Sequence, residues 1–332
     1  MRLGLIGLGR IGAFHAETLT ALETVEELLV TDAVPGVAET IGGQLGATVV
    51  PTATDLLALP IDGVLIASST PTHLDLIRAA VGAGLPTFCE KPVAEDPYAA
   101  KDLPALVEGA EVQVQIGFPR RFDPAFLRAK AALDAGELGW LTTVRSTTMD
   151  PAPPPAAYVA ASGGIFRDCS IHDLDTVRWV TGREVLEVYA VGGTKGDAFI
   201  RDADDVDSAS ILLTFDDGTI GVVSNTRYNG RGYDVRLELH GSRDSIAAGL
   251  DHGLPLRSAD PAVSFPAGPA HRFFMDRFAE AFRAELKAFT EVVASGQPSP
   301  CTVVDGLEAS WIAEACTRSR LEHRPVRLNE VR

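Results

Sequence analysis

Cysteine is scarce. Cys89, Cys169, Cys301 and Cys316 are far apart in a chain of 332 residues, and none stands in a C-x-x-C or zinc spacing. That pattern excludes a disulfide framework and suits reduced thiols in a cytoplasm. Positive charge is also short: 29 Lys and Arg face 45 Asp and Glu, for a formal net charge of −16. Such an excess argues against a nucleic-acid surface and against attraction to anionic membranes. No apolar run reaches the roughly 20 residues that a spanning helix needs. A strand-like run begins at Arg2, with no cleavable signal pattern before it. Repeats and low-complexity tails are missing too. The one biased segment, Pro151-Ala152-Pro153-Pro154-Pro155, is a stiff extended loop too short to link domains. What is present is a 46% hydrophobic chain, ordinary for packed cores, with the length of about two domains.

The first half carries a dinucleotide pattern. A buried strand over Arg2–Ile6 runs into Gly7-Leu8-Gly9-Arg10-Ile11-Gly12, and a helical pattern follows through Ala13, Leu19 and Leu22. The first two glycines permit the turn and let backbone approach a pyrophosphate. The third lets helix pack on strand, and the helix dipole faces the phosphates. Alone this motif is weak. A second strand over Glu27–Thr31 strengthens it, because it ends in Asp32, roughly 20 residues beyond Gly12, where a ribose-binding acid belongs. Ala33 follows and no Arg is near to receive a 2′-phosphate, so NAD is expected rather than NADP. A strand over 62–67 leads to Ser68, Thr70 and His73, the last either touching the cofactor or filling the first turn of a helix. The strand over 86–89 ends in Glu90-Lys91-Pro92, and a strand over 112–116 closes the sheet. Ligands of open α/β sheets bind at the strands' carboxyl ends, which puts Lys91 where a nicotinamide would lie.

The second half reads as α+β. Gly117 to Pro124 forms a crossover, Leu141–Met149 is a strand, and further strands are expected over 185–191, Ser208–Phe215, 219–226 and 234–240. Asp216-Asp217-Gly218 is a hairpin signal, so this sheet should be mostly antiparallel, with one face left open. Between the proline loop and these strands lies Ser162-Gly163-Gly164, followed by a helix pattern with Ile171, Leu174, Val177 and Val180 on one side. Asp168 and His172 are four residues apart, which stacks them on one helix face. A carboxylate beside an imidazole either moves protons near neutral pH or merely bridges a helix surface. Phe274, Phe278, Phe282, Leu286, Phe289 and Val293 form a helical core stripe, Leu307, Trp311 and Ala315 mark a last helix, and a short strand follows over 326–328.

The segments GLGRIG, STPTHLDLI, CEKPVAED, IGFPRRFDP, DPAPPP and GGIFRDCSIHDLD together resemble the Gfo/Idh/MocA oxidoreductases, the inositol 2-dehydrogenases among them. The resemblance implies an α/β Rossmann dinucleotide-binding domain over 1–118 and an α+β domain over 119–332, with a mostly antiparallel open-faced sheet that makes homodimer or homotetramer contacts. It implies Lys91, Asp168 and His172 as the catalytic set. The cofactor would meet Gly7, Gly9, Arg10, Ile11, Gly12, Asp32, Ser68, Thr70, His73, Glu90 and Lys91. A small polyol or sugar would meet Lys91, Arg120, Asp150, Asp168, His172, Asp175 and Tyr233, and no metal is needed because the hydride acceptor is NAD. Three departures bear on the substrate: Met149 where an Arg often stands, Cys169 where Thr or Met is usual, and Asn229-Gly230-Arg231 reading as an insertion. The implied activity is oxidation of a cyclic polyol's secondary hydroxyl. A pyranose or glycoside dehydrogenase, an NAD-dependent glycosidase or eliminase, and a non-catalytic NAD sensor are the rival readings.

Overall fold

The computed structural model describes residues 1–265 and 268–332. The chain divides into two compact units, 1–118 with 282–307, and 119–281 with 308–332. The segment 282–307, which the sequence reading left in the second domain, therefore packs in the first.

The first unit alternates strand and helix: β1 (Arg2–Ile6), α1 (Arg10–Thr20), β2 (Glu27–Thr31), α2 (Val37–Leu45), β3 (Thr48–Val49), α3 (Ala53–Leu57), β4 (Gly63–Ile66), α4 (His73–Gly82), β5 (Thr87–Glu90), α5 (Leu103–Ala110) and β6 (Val114–Gly117). The strands pair in parallel in the order β3-β2-β1-β4-β5-β6. Strands covered by helices on both faces read as continuous apolar runs, as in the fully buried Gly63–Ile66. The order reverses between β1 and β4, and a doubly wound sheet opens its ligand crevice there, beyond the strands' carboxyl ends. Gly7, Ser68 and Lys91 all follow such ends.

The second unit holds α6 (Pro124–Asp134), β7 (Leu141–Met149), α7 (Ala156–Ala161), α8 (Ile171–Thr181), β8 (Val185–Gly193), α9 (Ala198–Asp202), β9 (Ser208–Phe215), β10 (Ile220–Thr226), β11 (Asp234–Gly241) and β12 (Ser245–Ala248). Helices α10 (Phe274–Ser295) and α11 (Val303–Glu322) contribute to both units, and β13 (Val326–Arg327) ends the chain's sheet. That sheet runs β12-β11-β7-β10-β9-β8-β13, antiparallel except where β10 meets β7. Its inner face packs the stripe Ile171, Leu174, Val177 and Val180 of α8, each fully buried. On its other face Tyr189 pairs with Leu212, which pairs with Val222, and Leu212 and Ile220 are each 52% exposed. The helical stripe of α10 is core as expected. Its later part, Leu286 and Phe289, joins Leu3, Leu5, Val30, Leu65 and Phe88 under the parallel sheet. Among the described residues no helix is long and apolar enough to cross a membrane.

Candidate active site

The glycine turn has the geometry its spacing implies. Gly7 sits at φ +93°, a conformation that side chains disfavour, and a Cβ there would come 2.5 Å from the Ser68 backbone. At Gly12 a Cβ would lie 2.0 Å from the Gly7 carbonyl oxygen, so only glycine lets α1 approach β1 this closely. Gly9 caps α1 with no side-chain bond, and open space surrounds the position a Cβ would take. The first turn of α1 thus has no side-chain cap at Gly9, which suits an anion such as a pyrophosphate. Arg10 is exposed and Ile11 half-buried at this turn.

Asp32 is held from both sides. Its Oδ2 accepts the Leu8 amide at 2.6 Å and its Oδ1 accepts the Val34 amide at 2.7 Å. Each carboxylate oxygen keeps a further lone pair for a ribose hydroxyl. The residues present therefore fit a dinucleotide: a cradle that a Cβ would fill, uncapped amides and a fixed acid. Ser68 and Thr70 lie half-buried in the loop after β4, with the Ser68 hydroxyl bonded to that of Thr72 at 2.7 Å. Of the two readings of His73, the structure favours the helical one. Its ring is 1% exposed, with Nδ1 2.7 Å from the Pro92 carbonyl and Nε2 3.0 Å from the Ser68 carbonyl. The ring holds the two loops rather than standing open to a ligand. Glu90 and Lys91 follow as the end of β5 and its turn, half-buried, with a cis Lys91–Pro92 bond.

In the second unit the predicted helix start is not regular. Phe166–Ser170 forms a π-helical turn, and α8 continues from Ile171. Such turns, closed by i→i+5 bonds, are frequent at functional sites. They place Asp168 in the π turn and His172 in the first turn of α8, both half-buried. The Asp168 carboxylate accepts the Tyr158 hydroxyl at 2.8 Å and the Arg227 guanidinium at 3.1 Å. Arg227 is 1% exposed and also lies 3.5 Å from Asp205. Burial works against its charge, but Asp168, Cys169 and Asp205 outweigh it and raise its pKa. Sequence reasoning missed Arg227, which stands just past β10 with no spacing that flags it.

What fixes α8 is a buried polar cluster. Asp173, wholly buried, accepts Arg120 at 2.7 Å, Ser146 at 2.5 Å, Thr148 at 2.8 Å and Asn225 at 2.8 Å. These donors come from β7, β10 and the turn before α6, so the cluster staples α8 to the sheet. Burial disfavours the Arg120 cation, but the charge and hydrogen bond of Asp173, with Tyr233 and Cys169 adding to them, together outweigh it and raise the pKa. Arg121 grips Asp175 at 2.6 and 3.0 Å, both residues buried. Arg120 and Asp175, expected to meet substrate, thus have each other's neighbours as partners, because a buried charge must be paired.

Asp150, just past β7, is half-buried, with its carbonyl accepting the Asn229 amide at 2.7 Å. Cys169 Sγ lies 3.9 Å from the Asp150 carboxylate. Burial, followed by that charge, pushes the Cys169 thiol well above its ordinary range, so it is a neutral donor. Tyr233 is 5% exposed, packed edge-on to Phe278, and burial raises its hydroxyl pKa as well. The segment read as an insertion is a tight loop between β10 and β11, closed by the Asn229 side chain on the Gly232 carbonyl at 2.9 Å. All four cysteines are free and buried.

Two family models cover most of the chain. Residues 1–118 match the oxidoreductase family with an NAD-binding Rossmann fold, and residues 126–247 match the Gfo/Idh/MocA C-terminal domain. The chain belongs to the Gfo/Idh/MocA oxidoreductase family. Within it the chain is 37% identical to an inositol 2-dehydrogenase of Rhizobium meliloti, over 98% of each chain. A myo-inositol dehydrogenase structure from Corynebacterium glutamicum superimposes with a TM-score of 0.90 at 35% identity, covering 99% of both chains. A scyllo-inositol dehydrogenase from Lactobacillus casei, solved with NAD(H) and scyllo-inositol, gives a TM-score of 0.90 at 29% identity over 99% of both. Among the described residues of this Gfo/Idh/MocA protein, no group of three or more His, Cys, Asp or Glu is placed to hold a metal ion.

Proposed function

We propose that the protein is an NAD-dependent dehydrogenase that oxidises a secondary hydroxyl of a cyclic polyol, myo-inositol or a close cyclitol, to the ketone. The observation that carries the reading is full-length similarity to inositol dehydrogenases in a chain that has Lys91 just past β5, Asp168 within the π turn and His172 in the first turn of α8. The cofactor, when bound, supplies the hydride acceptor. The chain's residues do the rest. Gly7, Gly9 and Gly12 let the α1 amides meet the pyrophosphate, and Asp32 receives the ribose hydroxyls. Lys91 donates to the reacting oxygen and stabilises the negative charge that grows on it. His172, as a neutral imidazole, takes the hydroxyl proton. Asp168, paired with Arg227, accepts a neighbouring ring hydroxyl through a lone pair not used by Tyr158. Asp150 and Tyr233 contact the ring, while Arg120 and Asp175 act through the pairs that fix α8.

The reaction balances as alcohol plus NAD⁺ giving ketone, NADH and a proton. Lys91→Ala and His172→Ala are each expected to lower kcat on the order of 10²–10⁴-fold, the range for a positioned proton-transfer group. NAD affinity should hold, since neither residue is on the phosphate or ribose side. Near-normal turnover in either variant would remove its role.

A sugar ring is the second reading, favoured by Cys169 beside Asp150 and by Arg231, which lines a cleft with Leu254, Arg257 and Phe265. The buried free thiols and the acidic surface suit a cytoplasmic enzyme with small-molecule partners. The apolar row Tyr189-Leu212-Val222 on the open sheet face suits a homodimer or homotetramer, because exposed apolar patches are liabilities unless covered. A monomer mass by light scattering at micromolar concentration would count against that assembly.

A further inference from the structure

Two buried histidines flank the Glu90-Lys91-Pro92 turn, and neither has a part in the chemistry described above. His15 projects from α1, the helix that opens at the glycine turn, and its ring is fully buried. Phe88 meets it edge-on with centroids 5.6 Å apart, and Phe282 lies at 6.0 Å, so packing fixes the ring's orientation. Its Nε2 lies 2.7 Å from Glu90 Oε1, while its Nδ1 is buried with no hydrogen-bond partner. The Glu90 carboxylate has room because Gly117 stands opposite it on β6, where a Cβ would come 3.1 Å from Oε2. On the other side of the lysine, the buried His73 ring sits between two carbonyl oxygens, with Nδ1 2.7 Å from that of Pro92 and Nε2 3.0 Å from that of Ser68, and its N–H donates to one of them.

Packing alone would be served better by phenylalanine in the aromatic pocket of His15, since an orphaned buried nitrogen costs stability. What the imidazole adds is the bond to Glu90. Lys91 is a point charge at the end of a flexible four-carbon stem, so where its ammonium can reach depends on where its backbone is held. The residue before it is tied to α1, and the residue after it is tied through His73 to the Ser68 loop. Both ties end on segments that would carry the nucleotide.

We infer that His15 and His73 are positioning residues for Lys91, bracing the Glu90-Lys91-Pro92 turn from two sides. The inference rests on the dehydrogenase reading for its kinetic consequence, but not for the brace itself. A misplacement of about 1 Å can cost a reaction on the order of 10²-fold. His15→Phe and His73→Phe should therefore lower kcat by about 10–100-fold, with KM for NAD changed by less than about threefold. His15→Gln, which returns a donor near the Nε2 position and lacks only the unused Nδ1, should recover most of the loss. The same swap at His73 should recover less, because there the ring fills the space between two carbonyls, 2.7 and 3.0 Å from its nitrogens. In a Lys91→Ala background His15→Phe should add almost nothing, since its effect runs through the lysine.

The brace is read directly by ¹³C-dimethyl-lysine NMR of the full-length protein with NAD added, Lys91 being assigned by its loss in Lys91→Ala. His15→Phe and His73→Phe should shift and broaden the Lys91 signal, leaving Lys101, Lys130, Lys195 and Lys287 unmoved. Wild-type kcat with an unmoved Lys91 signal would overturn the inference, as would a His15→Phe loss that multiplies fully onto Lys91→Ala. Should the wild type oxidise no polyol or sugar, the dehydrogenase reading fails, and the Lys91 signal still decides the brace.

Discussion

The glycine turn at Gly7–Gly12 and the Asp173 cluster both position functional groups, and they are built in opposite ways. The turn is local: within six consecutive residues, Gly7 is required by its φ and Gly7 and Gly12 by what a Cβ would strike. The cluster is non-local. Asp173 draws its donors from Arg120, Ser146, Thr148 and Asn225, which span more than a hundred residues of chain and come from separate elements. A buried non-local device supports the fold and the site at once.

That contrast sets the sizes of the expected effects. Asp173→Ala leaves Arg120 as a buried, uncompensated cation, which should cost about 3–5 kcal/mol in urea unfolding. A loss below about 1 kcal/mol would mean the cluster does not staple α8. Asp32→Ser breaks the local side. NAD is expected to be preferred over NADP by at least about tenfold, or 1.4 kcal/mol, because a carboxylate suits two hydroxyls and repels a 2′-phosphate. The serine variant should narrow that gap while leaving the unfolding midpoint nearly unchanged. Equal kcat/KM for the two cofactors in the wild type would undo the assignment of Asp32.

The same contrast explains what the sequence made legible. The strand-turn-helix setting of Gly7, Gly9 and Gly12, the acid at Asp32 and the α8 stripe are short-range patterns, so period and spacing reveal them. Lys91 was found because it directly follows a buried strand. The Phe274–Val293 stripe disclosed a core helix but not whose core. That Leu286 and Phe289 pack beneath the parallel sheet follows from tertiary packing alone. Thr48–Val49 and Ser245–Ala248 were too short to leave an alternation. Arg227 was invisible because a buried arginine is defined by the carboxylates it meets, Asp168 and Asp205, and neither is near it in sequence. For the same reason the resemblance could name Arg120 and Asp175 but not reveal that Asp173 and Arg121 would be their partners.

Steady-state kinetics with NAD on myo-inositol, scyllo-inositol, glucose and a methyl glucoside, followed by the absorbance of the reduced cofactor, tests the central claim most directly. The proposed site, with Asp150, Asp168 and His172, is expected to hydrogen-bond several hydroxyls of one ring. Such a site should discriminate against a ring lacking one of them by as much as about 10⁴-fold. The account predicts NADH accumulation, with kcat/KM highest on an inositol. A pyranose turned over well above every inositol, or turnover without net NADH, would contradict it.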